Sequence, residues 1–293
     1  MRVFVTGGTG GIGSAVVPEL IGAGHEVLCL TRSPASAQAA RAMGATDFSG
    51  DIDDPGSLRA GAAQSDGVVY LAFGHDFNNF EQMSAQEGCA VATLGAALEG
   101  SGKPLVVASG TPAIPGHVAT EEDPLPAEGT IGGRARTARA VLDLAAKDVR
   151  SAVVRLPRSV HRQGGPFGFA SLLIAAAQAT GVSGYVGDGS QRWPAVHVLD
   201  AARLFRLALE GATPGTVAHA VADEGDPMRA IAEAIGRQLN LPVRSVPAED
   251  FGVLGHLFGV DQPASSALTR EQFDWRPTHP SLLDDLNDGG YAA

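Results

Sequence analysis

The sequence lacks the features that mark several large classes of protein. It has only two cysteines, Cys29 and Cys89, which we expect to fill apolar positions in a strand and a helix and not to form a disulfide. Its eight histidines form no HExxH motif or similar cluster, and no CxxC occurs, so we predict no metal site. No run of about 18 apolar residues is present, and the first predicted strand starts one residue after Met1, which leaves no room for a signal peptide. We therefore expect a cytoplasmic protein that does not bind membranes.

Positive charge is also scarce. Lys and Arg total 21 against 32 Asp and Glu, for a net charge of −11, and no stretch is strongly basic. Such a balance offers no electrostatic footprint for nucleic acid or an anionic membrane. The 293 residues, 44% of them hydrophobic, suffice for one globular enzyme-sized unit. A small-molecule substrate is the partner that these properties favour.

What the sequence does contain is a glycine loop at its beginning, MRVFVTGGTGGIG. A buried strand is predicted at 2–6 and an amphipathic helix at 11–23, and a strand, glycine turn and helix in this order can hold a pyrophosphate at the helix N-terminus. Gly7 permits the tight turn, Gly10 lets a ligand approach the backbone, and Gly13 lets helix and strand pack closely. We predict cofactor contacts from Gly7, Thr9, Gly10, Gly11, Ile12 and Gly13.

Strand-like runs alternate with helical periods through the first half of the chain. The predicted strands are Arg2–Thr6, Glu26–Thr31, Gly67–Phe73, Leu105–Ser109 and Ser151–Pro157. The predicted helices are Gly11–Ala23, Ser33–Met43, Ser57–Ala63, Phe80–Glu99 and Gly133–Lys147. This alternation predicts an α/β fold, a doubly wound parallel-sheet Rossmann domain at 1–157 to which 190–222 returns. Residues 158–189 and 223–293 should form a smaller C-terminal substrate-binding lobe.

The end of the second predicted strand bears on the choice of dinucleotide. An acidic residue about 20 positions past the motif glycines usually holds the ribose hydroxyls of NAD, whereas a basic one accommodates the 2′-phosphate of NADP. Here the position falls on Arg32 and Ser33. Because Arg can pair with a phosphate through two hydrogen bonds, we predict NADP(H). The alternative is that Arg32 is a solvated loop residue.

Several motifs together resemble the extended or atypical short-chain dehydrogenase/reductase superfamily over nearly the whole chain. TGGTGGIG resembles its TGxxGxxG loop, and GDI resembles its adenine-contacting element, which implies contacts from Asp51 and Ile52, although a plain turn explains that segment nearly as well. YLAF resembles its nicotinamide-ribose wall and implies Ala72 and Phe73. VVASGTPAIPG resembles the segment that carries the active-site Ser or Thr, which implies Thr111, and VRLPRSVHRQG, with Pro157, resembles the element after strand six. The resemblance also implies pairing through helices four and five, which would give a homodimer, although the alanines of helix five could equally pack on their own sheet.

The chain departs from the superfamily at its general acid, normally the Tyr of a YxxxK pair. No tyrosine here has a lysine four positions later. Alignment on helix five puts Thr130 near the Tyr position and Arg134 near the Lys position, where Arg134 could hold the cofactor but would not readily give up a proton. We therefore predict a catalytic set of Thr111, His161 and Arg134, with His161 the first candidate for proton donor because imidazole titrates in the useful range. A histidine that only satisfies loop hydrogen bonds is an equal alternative.

Three functions follow from these features. The first is an NADPH-dependent reductase of a small organic carbonyl, imine or activated alkene, with a proton donor other than Tyr. The second is a non-catalytic NADP(H) sensor like the NmrA-type atypical members, which would also lack the Tyr and Lys. The third and weakest is a sugar-nucleotide epimerase or dehydratase, because those enzymes depend on the Tyr base.

Overall fold

The computed structural model describes residues 1–74, 79–126, 128, 132–289 and 291. Its strands are β1 (Arg2–Thr6), β2 (Glu26–Thr31), β3 (Thr46–Ser49), β4 (Gly67–Tyr70), β5 (Pro104–Gly110), β6 (Arg150–Leu156), β7 (Ser159–His161), β8 (Ser183–Tyr185), β9 (Arg192–His197), β10 (Thr216–His219), β11 (Asp223–Pro227) and β12 (Val243–Ser245). Its α-helices are α1 (Gly13–Gly22), α2 (Pro34–Ala42), α3 (Pro55–Ala63), α4 (Phe80–Leu98), α5 (Gly132–Asp143), α6 (Gly168–Thr180), α7 (Val198–Gly211), α8 (Met228–Leu239), α9 (Gly255–Phe258), α10 (Ala267–Phe273) and α11 (Leu282–Asn287). 3-10 helices lie at Leu144–Lys147 and Ala248–Leu254.

A mostly parallel seven-stranded sheet is built mainly from strands in the first half of the chain. Its strand order is β10-β6-β5-β4-β1-β2-β3, and β1 pairs in parallel with both β2 and β4. Val3, Phe4 and Val5 of β1 are completely buried, as a strand covered by helices on both faces requires. The chain order reverses on either side of β1, so the loops after β1 and β4 leave in different directions. In open α/β sheets, ligands bind at the carboxyl ends of the strands at such a point. The predicted doubly wound α/β fold is confirmed.

The chain folds into two compact units. Unit 1 contains Met1–Ser109, Pro124–Arg155 and Ala201–Ala218, and unit 2 contains Gly110–Asp123, Leu156–Asp200 and His219–Ala293. The segment that returns to unit 1 is thus narrower than the 190–222 of the sequence prediction. Unit 2 holds a three-stranded sheet of order β11-β9-β7 and a two-stranded sheet of β12 and β8.

Some element ends differ from the sequence prediction. β4 ends at Tyr70, so Ala72 and Phe73 lie in the loop that follows it. The predicted helix 133–147 is an α-helix only to Asp143 and ends as a 3-10 turn, because Asp148 takes a left-handed conformation with φ of 57°. Cys29 is a buried filler as predicted, whereas Cys89 is exposed on α4.

Two further properties concern the described residues as a whole. No three His, Cys, Asp or Glu side chains among them are arranged to hold a metal ion. None of the helices in this part of the chain combines the length and apolar character needed to cross a bilayer.

Candidate functional site

The glycine loop of unit 1 is shaped by close backbone contacts. Gly7 has a φ of +69°, and the Gly10 N–H donates to the Gly7 carbonyl at 3.0 Å. A Cβ atom added at Gly13 would lie 2.2 Å from the Gly7 carbonyl oxygen, a distance that no real side chain tolerates. One added at Gly7 would lie 2.7 Å from the backbone nitrogen of Ala72. Because these positions are glycine, the loop can pack closely against the start of α1 and against the segment after β4.

This loop offers backbone donors at the start of α1. Within the described chain, the N–H groups of Gly11, Ile12 and Gly13 donate no hydrogen bond. Gly10 and Gly11 are exposed, and Thr9 and Ile12 are half-buried. Unpaired N–H groups at the positive end of a helix are what a pyrophosphate binds. The residues present therefore fit a dinucleotide phosphate.

Arg32 lies at the same edge of the sheet, because β2 runs parallel to β1 with Val5 opposite Cys29. The Arg32 side chain is exposed and makes no hydrogen bond or ion pair to any described residue. Its neighbour Ser33 instead caps α2: the Ser33 hydroxyl accepts from the Ser36 N–H at 3.2 Å, and the Ser33 N–H donates to the Ser36 hydroxyl at 3.1 Å. Arg32 thus has a free guanidinium, while the hydroxyl of Ser33 already has a structural role.

Asp51 and Ile52 follow β3. The Asp51 carboxylate accepts from the Asp53 N–H at 3.1 Å, and its carbonyl accepts from the Asp54 N–H at 3.1 Å. Ile52 packs against the core of unit 1. Both residues are half-buried in a turn, and an adenine contact from them remains a prediction.

Arg134 is held firmly in unit 1. Its Nε and Nη2 donate to the two carboxylate oxygens of Glu87 at 3.0 and 2.9 Å, and Nη2 also donates to the Ala108 carbonyl at 2.9 Å. The guanidinium carbon lies 4.1 Å from the centre of the Phe73 ring. Burial raises the pKa of Glu87, and the adjacent Arg134 opposes that rise. Arg134 is therefore fixed over the predicted nicotinamide-ribose wall, and its correspondence to the superfamily lysine remains a prediction. The aligned Thr130 lies outside the described residues.

Thr111 and Pro157 belong to unit 2 and adjoin one another. The Thr111 N–H donates to the Leu156 carbonyl at 3.0 Å. The side-chain amide of Gln262 donates to the Thr111 carbonyl at 2.5 Å and approaches its Oγ1 at 3.3 Å. Thr111 is 4% exposed. Since its oxygens accept from Gln262, the hydroxyl proton of Thr111 can be donated elsewhere.

His161 in unit 2 has no exposed surface. Its Nδ1 lies 2.7 Å from a carboxylate oxygen of Asp285, and its Nε2 is buried with no hydrogen-bond partner in the described chain. Burial lowers the pKa of His161 although Asp285 opposes the shift. This environment favours a positioning role for His161 over direct donation of a proton to a substrate.

The sequence analysis did not predict the hydrogen-bond partners of Arg134, Thr111 and His161. Glu87 occupies a buried position among the apolar side chains of α4, a signal that could have been noticed. Gln262 lies more than 120 residues from Thr111, and Asp285 lies more than 120 residues from His161. Nothing in their local sequence indicates those contacts.

A glycine-loop cradle at the switch point of a doubly wound sheet defines unit 1 as a dinucleotide-binding domain. A model of the NAD dependent epimerase/dehydratase family matches residues 3–221, so the chain belongs to that family, and a nicotinamide dinucleotide is the class of cofactor that this membership supports. An uncharacterized protein of Schizosaccharomyces pombe is 42% identical over 99% of this chain and 100% of its own length. An uncharacterized protein of Saccharomyces cerevisiae is 43% identical over 98% of both chains.

A solved structure shares the fold across the chain. The UDP-glucose-4-epimerase of Stenotrophomonas maltophila, with bound NAD, superposes with a TM-score of 0.79 at 22% identity and covers 99% of this chain and 97% of its own. At that level of identity the likeness concerns the fold. The predicted resemblance to extended or atypical short-chain dehydrogenases/reductases is confirmed.

Proposed function

We propose that this protein is an NADPH-dependent reductase of a small organic carbonyl, imine or activated alkene. The observation that carries the proposal is the free Arg32 guanidinium at the sheet edge where Gly11, Ile12 and Gly13 present unpaired N–H groups. The N–H groups would bind the pyrophosphate and Arg32 the 2′-phosphate. NADPH, when bound, supplies a hydride to the substrate.

The chain's own residues would bind and orient the reactants. Arg134, fixed by Glu87, would hold the nicotinamide ribose in place of the superfamily lysine. The Thr111 hydroxyl, whose oxygen is oriented by Gln262, would donate a hydrogen bond to the oxygen or nitrogen that gains charge as the substrate is reduced. His161, bonded to Asp285, would position the segment after β6 and would not itself donate the proton.

NADPH consumption across a panel of aldehydes, ketones, imines and activated alkenes tests the proposal. Thr111→Val removes the hydroxyl with little change in shape, and we expect it to slow turnover by about tenfold or more. Thr111→Ser should retain most of the rate. Thr180→Val removes a hydroxyl that bonds only within α6 and after it and serves as the control. An unchanged rate in Thr111→Val would contradict the role of Thr111, and no NADPH consumption with any substrate would contradict the reductase.

The burial of Thr111 and His161, at 4% and 0% exposure, favours a second candidate, a non-catalytic NADP(H) sensor. Such a protein would bind NADPH and NADP with similar affinity and would turn over no substrate. Calorimetric titration with both cofactors, followed by the substrate panel, separates the two candidates.

A second copy of the chain is the protein partner that we propose. Ala135 and Ala138 of α5 are buried, and Ala138 packs into the core of its own unit. An interface with a second copy would therefore use other residues of this helix. A groove of about 910 Å³ runs along α4 and α5. Its exposed small side chains would admit the same helices of a symmetry mate: they are Ala85, Ala92, Ala96 and Ala140.

A further inference from the structure

Arg158 of unit 2 is a cation without an acidic partner. It follows β6 and is half-buried, yet its Nε atom is fully enclosed and has no hydrogen-bond partner in the described chain. Its Nη2 donates to the Oε1 of Gln262, a neutral acceptor. No Asp or Glu among the described residues forms an ion pair with it. An enclosed charge in this position destabilises the folded state unless an anion pairs with it.

The surroundings of Arg158 are aromatic. Its guanidinium carbon lies 5.5 Å from the centre of the Trp193 ring and 5.9 Å from that of Phe169. Ring faces at this distance attract a cation but leave its N–H donors unused. Burial lowers the pKa of Arg158 to about 10, so the side chain keeps its charge at neutral pH. The guanidinium of Arg158 is thus charged and lies beside an apolar wall, and among the described residues only its Nη2 has a hydrogen-bond partner.

Gln262 fixes Arg158 next to Thr111. The Gln262 amide nitrogen donates to the Thr111 carbonyl at 2.5 Å, which turns the amide oxygen toward Arg158. Gln262 is itself only 6% exposed. Bonds to Thr111 and to Arg158 therefore fix the orientation of the Gln262 side chain. Gln262 thus links Arg158 to Thr111, the residue that we propose contacts the reacting group.

We infer that Arg158 binds the carboxylate of a substrate whose reacting carbonyl is adjacent to that carboxylate, a 2-oxo acid. The inference rests on the proposed reductase function. A guanidinium presents paired donors that match the two oxygens of a carboxylate. Arg192, which precedes Trp193 in the chain, is already paired with Asp261 at 2.9 Å. Of these two cations only Arg158 lacks an acidic partner among the described residues, and a single positive charge suits a carboxylate better than a doubly charged phosphate. Reduction would transfer a hydride from NADPH to the ketone carbon and a proton to its oxygen, which yields a 2-hydroxy acid and NADP.

Phenylglyoxylate and acetophenone test this inference, because they carry the same aryl ketone and differ only in a carboxylate against a methyl group. Calorimetric titration of each into the protein saturated with NADP measures binding without turnover. We expect phenylglyoxylate to bind the native protein and Arg158→Gln to weaken that binding by about tenfold or more, as loss of a charged hydrogen bond predicts. Acetophenone binding should change less than about twofold, because it lacks the charge that the guanidinium binds.

Matched variants separate the site from the fold. Arg158→Lys keeps the charge and should retain part of the phenylglyoxylate affinity. Arg276→Gln removes an exposed arginine of the same unit that pairs with Asp274, and it should leave both affinities unchanged. Melting temperatures show whether each variant folds, and Arg158→Lys provides the test if Arg158→Gln does not.

Equal losses for both ketones would overturn the inference and would indicate that Arg158 acts on the carbonyl oxygen. Absence of phenylglyoxylate binding to the native protein would overturn it as well. These results are distinct from failure of the proposed function, which would appear as absence of NADPH consumption by the whole substrate panel while carboxylate binding persisted.

Discussion

At the scale of single residues, Arg134, which the sequence prediction places near the superfamily lysine position, differs from a lysine in the partners that it needs. A lysine carries a point charge on a flexible stem, whereas the planar guanidinium of Arg needs partners in fixed directions. Glu87 and the Ala108 carbonyl supply them. Arg134 and Glu87 therefore act as one unit in the candidate site.

Removal of Glu87 should be costly. Glu87 is 3% exposed and Arg134 is 21% exposed at its side chain, and Glu87→Gln would leave the guanidinium without its counter-charge. We expect a loss of roughly 2 to 4 kcal/mol in the free energy of unfolding, measured by urea denaturation. Glu99→Gln breaks the exposed ion pair between Glu99, the residue that follows α4, and Lys147 and should cost under about 1 kcal/mol. Similar losses in the two variants would contradict a structural role for the buried pair.

His161 should make stability depend on pH. Burial lowers its pKa in the folded protein, so as pH falls through the unfolded value of about 6.5 the unfolded chain binds more protons and the folded state loses stability. Burial shifts the pKa of His197 in the same direction. Asp226, whose pKa burial raises to about 6, gains its proton in the folded state over the lower part of the same range and partly opposes this loss.

Melting temperatures measured between about pH 8 and pH 6 test this effect, and comparison with a variant cancels the opposing contribution of Asp226, which both proteins share. The native protein should melt at a lower temperature as the pH falls, and His161→Gln should show a shallower decline. The exposed His256 offers a control, His256→Gln, with the native slope. A His161→Gln slope equal to the native one would exclude His161 as the source.

At the scale of elements, the glycine loop is the part of the site that depends most on geometry. A Cβ atom at Gly13 would meet the backbone of Gly7 and Gly8 at 2.2 and 2.5 Å, and backbone atoms cannot move aside as a flexible side chain can. Gly22, at the other end of the same helix, has no atom within 4 Å of the corresponding position.

These two glycines form a matched pair for mutation. Gly13→Ala should displace the loop and weaken cofactor binding by about a hundredfold, because the N–H donors no longer converge. Gly22→Ala should leave binding intact and stabilise α1 slightly. Fluorescence titration with NADPH measures both, and equal affinities in the two variants would contradict the cradle.

The sequence predicted the bounds of those strands that are determined by residues close together in the chain. β1 and β2 begin and end where predicted because continuous apolar runs bounded by Gly and polar residues determine them. The 3-10 end of α5 was not predicted, since it depends on the left-handed Asp148. The roles of Glu87, Gln262 and Asp285 were not predicted either, because each arises from a tertiary contact between segments far apart in the chain.

At the scale of the whole molecule, the family and the fold are established, whereas the assembly is a proposal. Ala92→Arg would place a charged side chain in the groove along α4 and α5 and should convert a dimer into a monomer. Light scattering coupled to gel filtration measures the mass. Arg139→Ala, an exposed change on α5 that removes an ion pair with Asp143, is the control. A native protein that is monomeric would contradict the proposed pairing.

We propose that the protein prefers NADPH to NADH, and its affinities for the two cofactors measure that preference. We predict that the native protein binds NADPH more tightly than NADH and that Arg32→Ala weakens NADPH binding by about tenfold or more while NADH binding stays the same. Arg41→Ala removes another exposed arginine, paired with Asp47, and should change neither affinity. An unaltered ratio of the two affinities in Arg32→Ala would contradict the account.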